Sequence, residues 1–211
     1  MKKNGKFVLV LAIIMIALCG MAAAELPPMY AGVDLGYGAS FPDFGGNFFP
    51  MADGFEMTPY FGINPVSMVP DLSFEFDLQM DFLKYYSGYG DFNYSVITPQ
   101  LFAVYTYSGW KIKPFIGLGM GVNIINLDKY VYSEYYNTVG GTPVDPYNAE
   151  NTASFSFAVK GGIQYQIPNT GVGLALGLRY NINSPTVKAG PYSFKVNMGS
   201  ISINLGALYR F

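Results

Sequence analysis

Residues 72–82 read Leu-Ser-Phe-Glu-Phe-Asp-Leu-Gln-Met-Asp-Phe. Leu72, Phe74, Phe76, Leu78, Met80 and Phe82 recur with a period of two, and Ser73, Glu75, Asp77, Gln79 and Asp81 fill the positions between. A helical turn would mix the two sets, whereas an extended strand puts them on opposite faces. The run is about twice the ~5–6 residues of a common strand, and ~9–11 tilted residues suffice to cross a bilayer. One apolar side and one charged side suit a barrel wall with lipid outside and a polar lumen inside.

The same alternation recurs seven times. Strand one covers about Tyr30 to Phe41, with Ala31, Val33, Leu35 and Tyr37 opposite Gly32, Asp34, Gly36 and Gly38. Strand two runs from about Phe55 to Val66, strand four from Tyr94 to Tyr107 and strand five from Ile112 to Ile124. Strand six follows from Ser154 to Ile167 and strand seven from Val172 to Ile182. Strand eight closes the chain through Ile201, Ile203, Leu205, Ala207, Tyr209 and Phe211. Val196 and Met198 lie out of phase before it, which suggests a bulge. The connections Ser67–Asp71, Ser108–Lys111 and Pro168–Gly171 read as turns, and Pro42–Gly54, Leu83–Asp91, Ile125–Ala153 and Asn183–Ser193 as longer loops. Short therefore alternates with long, as in an up-and-down antiparallel barrel with turns at one end and loops at the other. Closing eight strands removes every sheet edge, which lipid requires because it cannot pair loose backbone groups.

Composition agrees. Of 211 residues, 51% are apolar or aromatic and only 12% charged, about half the charged share of a soluble domain. Apolar residues spread one in two make no transmembrane helix. The single long apolar run is Phe7 to Leu18, preceded by Lys2, Lys3 and Lys6 and followed by Ala22-Ala23-Ala24. This is the pattern of an export signal cleaved near Ala24. Residues 1–24 are thus expected to leave and residues 25–211 to form one barrel domain, without Cys19 and so without thiol or disulfide. Loss of the three lysines leaves nine basic residues against 14 acidic, a balance that disfavours a nucleic-acid partner, so none is expected.

The segment Lys113-Pro114-Phe115-Ile116-Gly117-Leu118-Gly119-Met120-Gly121 resembles the Pro-aromatic-x-Gly-x-Gly strand of small eight-stranded bacterial outer-membrane barrels, the OmpA-barrel, OmpX and OmpW family. Gly161-Gly162-Ile163-Gln164-Tyr165 is similar to their penultimate hairpin, and Leu205-Gly206-Ala207-Leu208-Tyr209-Arg210-Phe211 to their last strand. The resemblance implies an all-β, eight-stranded antiparallel transmembrane barrel in the outer membrane, with Tyr209 and Phe211 read by the barrel assembly machinery. It also implies a monomer in contact with lipid and outer-membrane glycolipid.

Alternation turns Asp34, Glu56, Glu75, Asp77 and Asp81 into the lumen with Lys113, Lys160, Arg179 and Arg210. Such mixed charge suits cross-lumen pairing, because buried charges are tolerable only when paired. The chain has no histidine, which removes Ser–His–Asp chemistry and the catalytic His that resemblance to membrane-barrel hydrolases would imply. No His/Cys zinc set, phosphate loop or other cofactor site is legible, and no enzyme is expected. Tyr85, Tyr86, Tyr94, Tyr105, Tyr107 and Trp110 near strand ends read as an interfacial aromatic girdle. Tyr130, Tyr132, Tyr135, Tyr136 and Tyr147 in the longest loop read as surface contacts for a host or extracellular ligand. Three functions follow: a scaffold displaying loops for adhesion, a narrow OmpW-like channel for small apolar molecules, and a soluble lipocalin-like binding barrel.

Overall fold

The computed structural model describes residues 27–43, 52–65, 69, 71–87, 90–127, 152–184, 186–189, 192–195 and 197–211. The alternating segments form β1 (Met29–Asp43), β2 (Ala52–Ile63), β3 (Leu72–Ser87), β4 (Gly90–Thr106), β5 (Ile112–Leu127), β6 (Thr152–Gln166), β7 (Val172–Asn183) and β10 (Asn197–Arg210). These eight close in the order β1-β10-β7-β6-β5-β4-β3-β2, and every neighbouring pair is antiparallel. Chain neighbours are therefore barrel neighbours, and the β1–β10 seam completes the ring. The export signal and Cys19 lie outside the described residues.

Three expectations are corrected. The connection after β3 is no long loop. Only residues 88 and 89 separate Ser87 from Gly90, because β3 and β4 stay paired well beyond the span that alternation marks. The segment read as the Asn183–Ser193 loop contains a separate hairpin, β8 (Thr186–Ala189) with β9 (Tyr192–Lys195). Among the described residues the last strand carries no bulge, since β1 and β10 pair without a skipped residue from Tyr30–Arg210 to Asp43–Asn197. Met198 is out of phase for another reason. It packs on Ala52, Leu83, Val96 and Ile125, a buried apolar layer inside the loop end of the barrel.

The period-two sequence has inverted the usual arrangement of a globular domain. Large apolar side chains face outward on every wall, with Leu118 64% and Leu205 67% exposed, whereas the buried residues are mostly polar. At the opposite end, where the connections are turns, Tyr107 and Trp110 pack edge to face with ring centroids 5.5 Å apart. Asn169 takes a positive φ of 61° in the β6–β7 turn, a conformation Asn tolerates better than most residues.

Candidate functional site

The inner wall owes its shape to β5. Gly117, Gly119 and Gly121 leave that face bare, and side chains from other strands fill the space. A Cβ at Gly119 would lie 2.6 Å from the Phe102 ring, and one at Gly117 would lie 3.1 Å from Lys160 Cγ. Phe102 is buried there with Val104 and Ala158. It supports both central cations: Lys160 Nζ stands 4.4 Å and the Arg179 guanidinium 5.4 Å from its ring centre. Attraction of a desolvated cation to a ring face adds to ion pairing.

Around this ring, five charged residues from four strands meet in mid-lumen. Asp77 Oδ2 accepts from Arg179 Nη2 at 2.5 Å and from Lys160 Nζ at 3.0 Å. Lys160 also donates to Glu75, whose other oxygen accepts from the Tyr30 hydroxyl at 2.6 Å. Arg179 Nη1 lies 3.6 Å from Glu56 Oε1 and donates to Thr58 Oγ1 and Gln79 Oε1, both at 3.3 Å. Asp77 is wholly buried and Arg179 is 1% exposed, so each charge depends on its partners rather than on water.

Neutral residues complete the layer. Gln79 Nε2 donates to both oxygens of Asp81, at 3.0 and 3.1 Å. Asn181 Nδ2 donates to Gln79 Oε1 at 3.0 Å, and Gln100 Nε2 donates to Ser156 and Asn181, each at 3.0 Å. Asn204 Nδ2 reaches Glu56 at 3.3 Å. The alternation puts Gln79, Gln100 and Asn181 on the polar face without assigning them to a site, whereas Asn204 and Phe102 go unmarked although inward parity selects them too.

Of the nine inward charges, the structure thus joins Glu56, Glu75, Asp77, Lys160 and Arg179. Asp81 is held through Gln79. Asp34, Lys113 and Arg210 stand apart, lining a cavity of about 260 Å³ at the turn end together with Tyr60, Gln164 and Asn204. Arg210 lies 6.0 Å from the Tyr30 ring centre. Within this region Gln164 Nε2, Asn204 Oδ1 and Arg179 Nε are buried without a hydrogen-bond partner.

Tyr105, Tyr107 and Trp110 are exposed around the turn end. Tyr85, Tyr86 and Tyr94 belong to β3 and β4 near the loop end, but their side chains lie outside the described set. The loop tyrosines 130, 132, 135, 136 and 147 also lie outside the described residues. Tyr209 and Phe211 stack edge to face at 5.5 Å on the outside, and the Phe211 amide donates to the Met29 carbonyl at 3.0 Å.

No protein-family model and no curated protein matches the sequence. The fold is nevertheless that of solved outer-membrane barrels. It resembles the crystal structure of Neisserial surface protein A with a TM-score of 0.60 and 20% identity, over 87% of this chain and 97% of that one. It also resembles the outer membrane protein AlkL, determined in lipid bilayers, with a TM-score of 0.50 and 17% identity over 88% and 90% of the two chains. At such identities the shared property is the fold: a closed, eight-stranded antiparallel barrel of the small outer-membrane type.

Proposed function

We propose that the chain is an integral outer-membrane protein, a non-conducting scaffold whose loop end is displayed for adhesion or ligand contact. The observation that carries this reading is the double closure of the lumen. The Ala52, Leu83, Val96, Ile125 and Met198 layer fills the loop end, and the Arg179–Asp77–Lys160–Glu75 cluster fills the middle. Small eight-stranded barrels are wide enough only to be packed with side chains.

An outer wall as apolar as that at Leu118 and Leu205 supports a lipid setting, since a soluble barrel would expose a far larger apolar patch than water-soluble monomers carry. The same reading takes the signal to be removed near Ala24, the Tyr209–Phe211 end to be offered to the barrel assembly machinery, and the mature barrel to sit as a monomer against lipid and glycolipid. Host or extracellular ligands would meet residues 128–151.

Planar-bilayer recording on the refolded protein tests the closure. Absence of unitary current supports the scaffold, and reproducible current or solute uptake into liposomes overturns it in favour of a conduit. Cell-binding assays comparing the full chain with a deletion of 128–151 test the display role. Equal adhesion by the two would remove it.

A further inference from the structure

We infer that the turn-end cavity binds a small zwitterion, its ammonium group on Asp34 and Asn204 Oδ1 and its carboxylate on Lys113 and Gln164 Nε2. The first ground is a contrast in pairing. Every charge of the mid-lumen cluster has an ionic partner, but Asp34 and Lys113 make no hydrogen bond or ion pair among the described residues, although both are half-buried. The second ground is a pair of stranded amide atoms on residues that line the same cavity. Gln164 is 6% and Asn204 5% exposed, and neither Gln164 Nε2 nor Asn204 Oδ1 has a partner. Asn204 cannot simply be turned over, because its nitrogen is committed to Glu56 at 3.3 Å and Ser202 at 3.2 Å. Buried groups of this kind are normally satisfied, by water or by a ligand.

Register sorts these groups by sign. One hydrogen-bonded row runs Asp34–Gly206–Ala175–Gln164–Lys113 across β1, β10, β7, β6 and β5. The acceptors stand together at its β1–β10 end, where a Cβ at Gly206 would lie 2.1 Å from Asp34 Oδ1 and one at Gly36 would lie 1.7 Å from Asn204 Oδ1. The donors come from β5 and β6, on the far side of Ala175, with Gln164 Nε2 reaching over Gly173 of β7. Gly206 and Ala175 between them contribute almost no side chain, which leaves the space open. Lys113 is the second residue of β5 and Asp34 the sixth of β1, so the carboxylate end lies toward the mouth and the ammonium end deeper.

The other charged groups at the cavity do not upset this polarity. Glu75, Lys160 and Arg179 are already paired in the mid-lumen cluster, Arg210 adds positive charge beside Phe211, and Asp71 stands among the mouth residues. The volume of about 260 Å³ equals roughly nine waters at ~30 Å³ each, which suits an amino-acid-sized solute. Since the ion cluster closes the far side, the site is blind and is entered only from the turn end.

Calorimetric titration of the refolded protein in detergent micelles at neutral pH tests this, with glycine, β-alanine and γ-aminobutyrate as zwitterions and butylamine and butyrate as single-ended controls. Saturable binding is expected for at least one zwitterion, with both controls about tenfold or more weaker. Asp34→Asn and Lys113→Gln should each weaken that zwitterion at least about tenfold, the scale of one charge-assisted hydrogen bond. Neither substitution strands an ion partner, so both variants should keep the wild-type heat-modifiable mobility. Gln164→Leu supplies an uncharged second check. Absence of saturable binding by all three zwitterions, equal binding of butyrate, or wild-type affinity in both charge variants overturns the site. None of these results bears on the scaffold reading, which stands or falls on conductance and adhesion.

Discussion

Replacing Arg179 by Met keeps most of the side-chain volume and removes the guanidinium. Arg179 is 1% exposed and meets Asp77 at 2.5 Å and Glu56 at 3.6 Å. Breaking a buried ion pair by deleting one partner costs ~3–5 kcal/mol, because the other charge is left stranded. Here Asp77 would keep Lys160 at 3.0 Å, and Glu56 would keep the Thr58 hydroxyl at 3.0 Å and the Asn204 amide. The lower end of that range therefore applies. A loss of about 3 kcal/mol corresponds to a shift of roughly 150-fold in the unfolding equilibrium. Urea titration in lipid vesicles measures it, read by unboiled gel mobility and by the emission of Trp110, the single tryptophan of the chain. Arg179→Met combined with Asp77→Leu should recover at least half of the loss, since replacing a whole buried pair by apolar residues is often near neutral. A single variant within about 1 kcal/mol of wild type would show that the guanidinium is solvated rather than paired. A double variant no better than the single one would show that Asp77 is not its main partner.

Further outcomes follow from the wall. Leu118→Arg, at an exposed mid-strand position, should destabilise the membrane-inserted barrel by ~2–4 kcal/mol, whereas Ile112→Arg at the start of β5 should cost only ~0–1 kcal/mol; folding titrations into liposomes compare them. Gly121→Ala would drive a Cβ to 2.2 Å from the Pro99 carbonyl oxygen, while Gly38→Ala meets nothing nearer than Ser202 Cβ at 3.2 Å and the Ile201 carbonyl oxygen at 3.3 Å. The first should lose ~1–3 kcal/mol through overpacking and the second clearly less, and equal urea midpoints would contradict the close β4–β5 approach. Trp110 fluorescence should be quenched more by brominated lipids labelled near the headgroup than by those labelled at the bilayer midplane, as an interfacial residue requires.

Most of the barrel is legible because its signal is local. Between Leu72 and Phe82 each residue announces its face by its own polarity, and closure into eight strands follows from repetition. The signal fades where the environment stops contrasting. Above the lipid span β3 continues to Ser87 and β5 to Leu127, although alternation there no longer separates wet from dry. Met198 looks like a phase error only if the lumen is assumed polar throughout, and Phe102 and Val104 escape notice for the same reason. The β8–β9 hairpin was readable as two short segments flanking Gly190-Pro191, but the loop assignment absorbed it. The inward direction of Asp77, Lys160 and Arg179 is written in their parity. Their meeting is not, because Arg179 bonds Asp77 across 102 residues of sequence, and only barrel closure sets β3 across the lumen from β6 and β7. The difference between the paired cluster and the unpaired Asp34 and Lys113 likewise depends on side-chain reach, which periodicity does not carry.

The central cluster also divides the chain by sign. Its acids, Glu56, Glu75 and Asp77, come from β2 and β3, and its bases, Lys160 and Arg179, from β6 and β7. An N-terminal half-barrel would hold a column of like-charged carboxylates with nothing to neutralise them, and a C-terminal half the matching cations. Neither half can dry its interior alone. Dehydration of the lumen is therefore tied to the moment the two halves face each other, and mutual attraction acts as a latch that favours the finished ring over any open sheet.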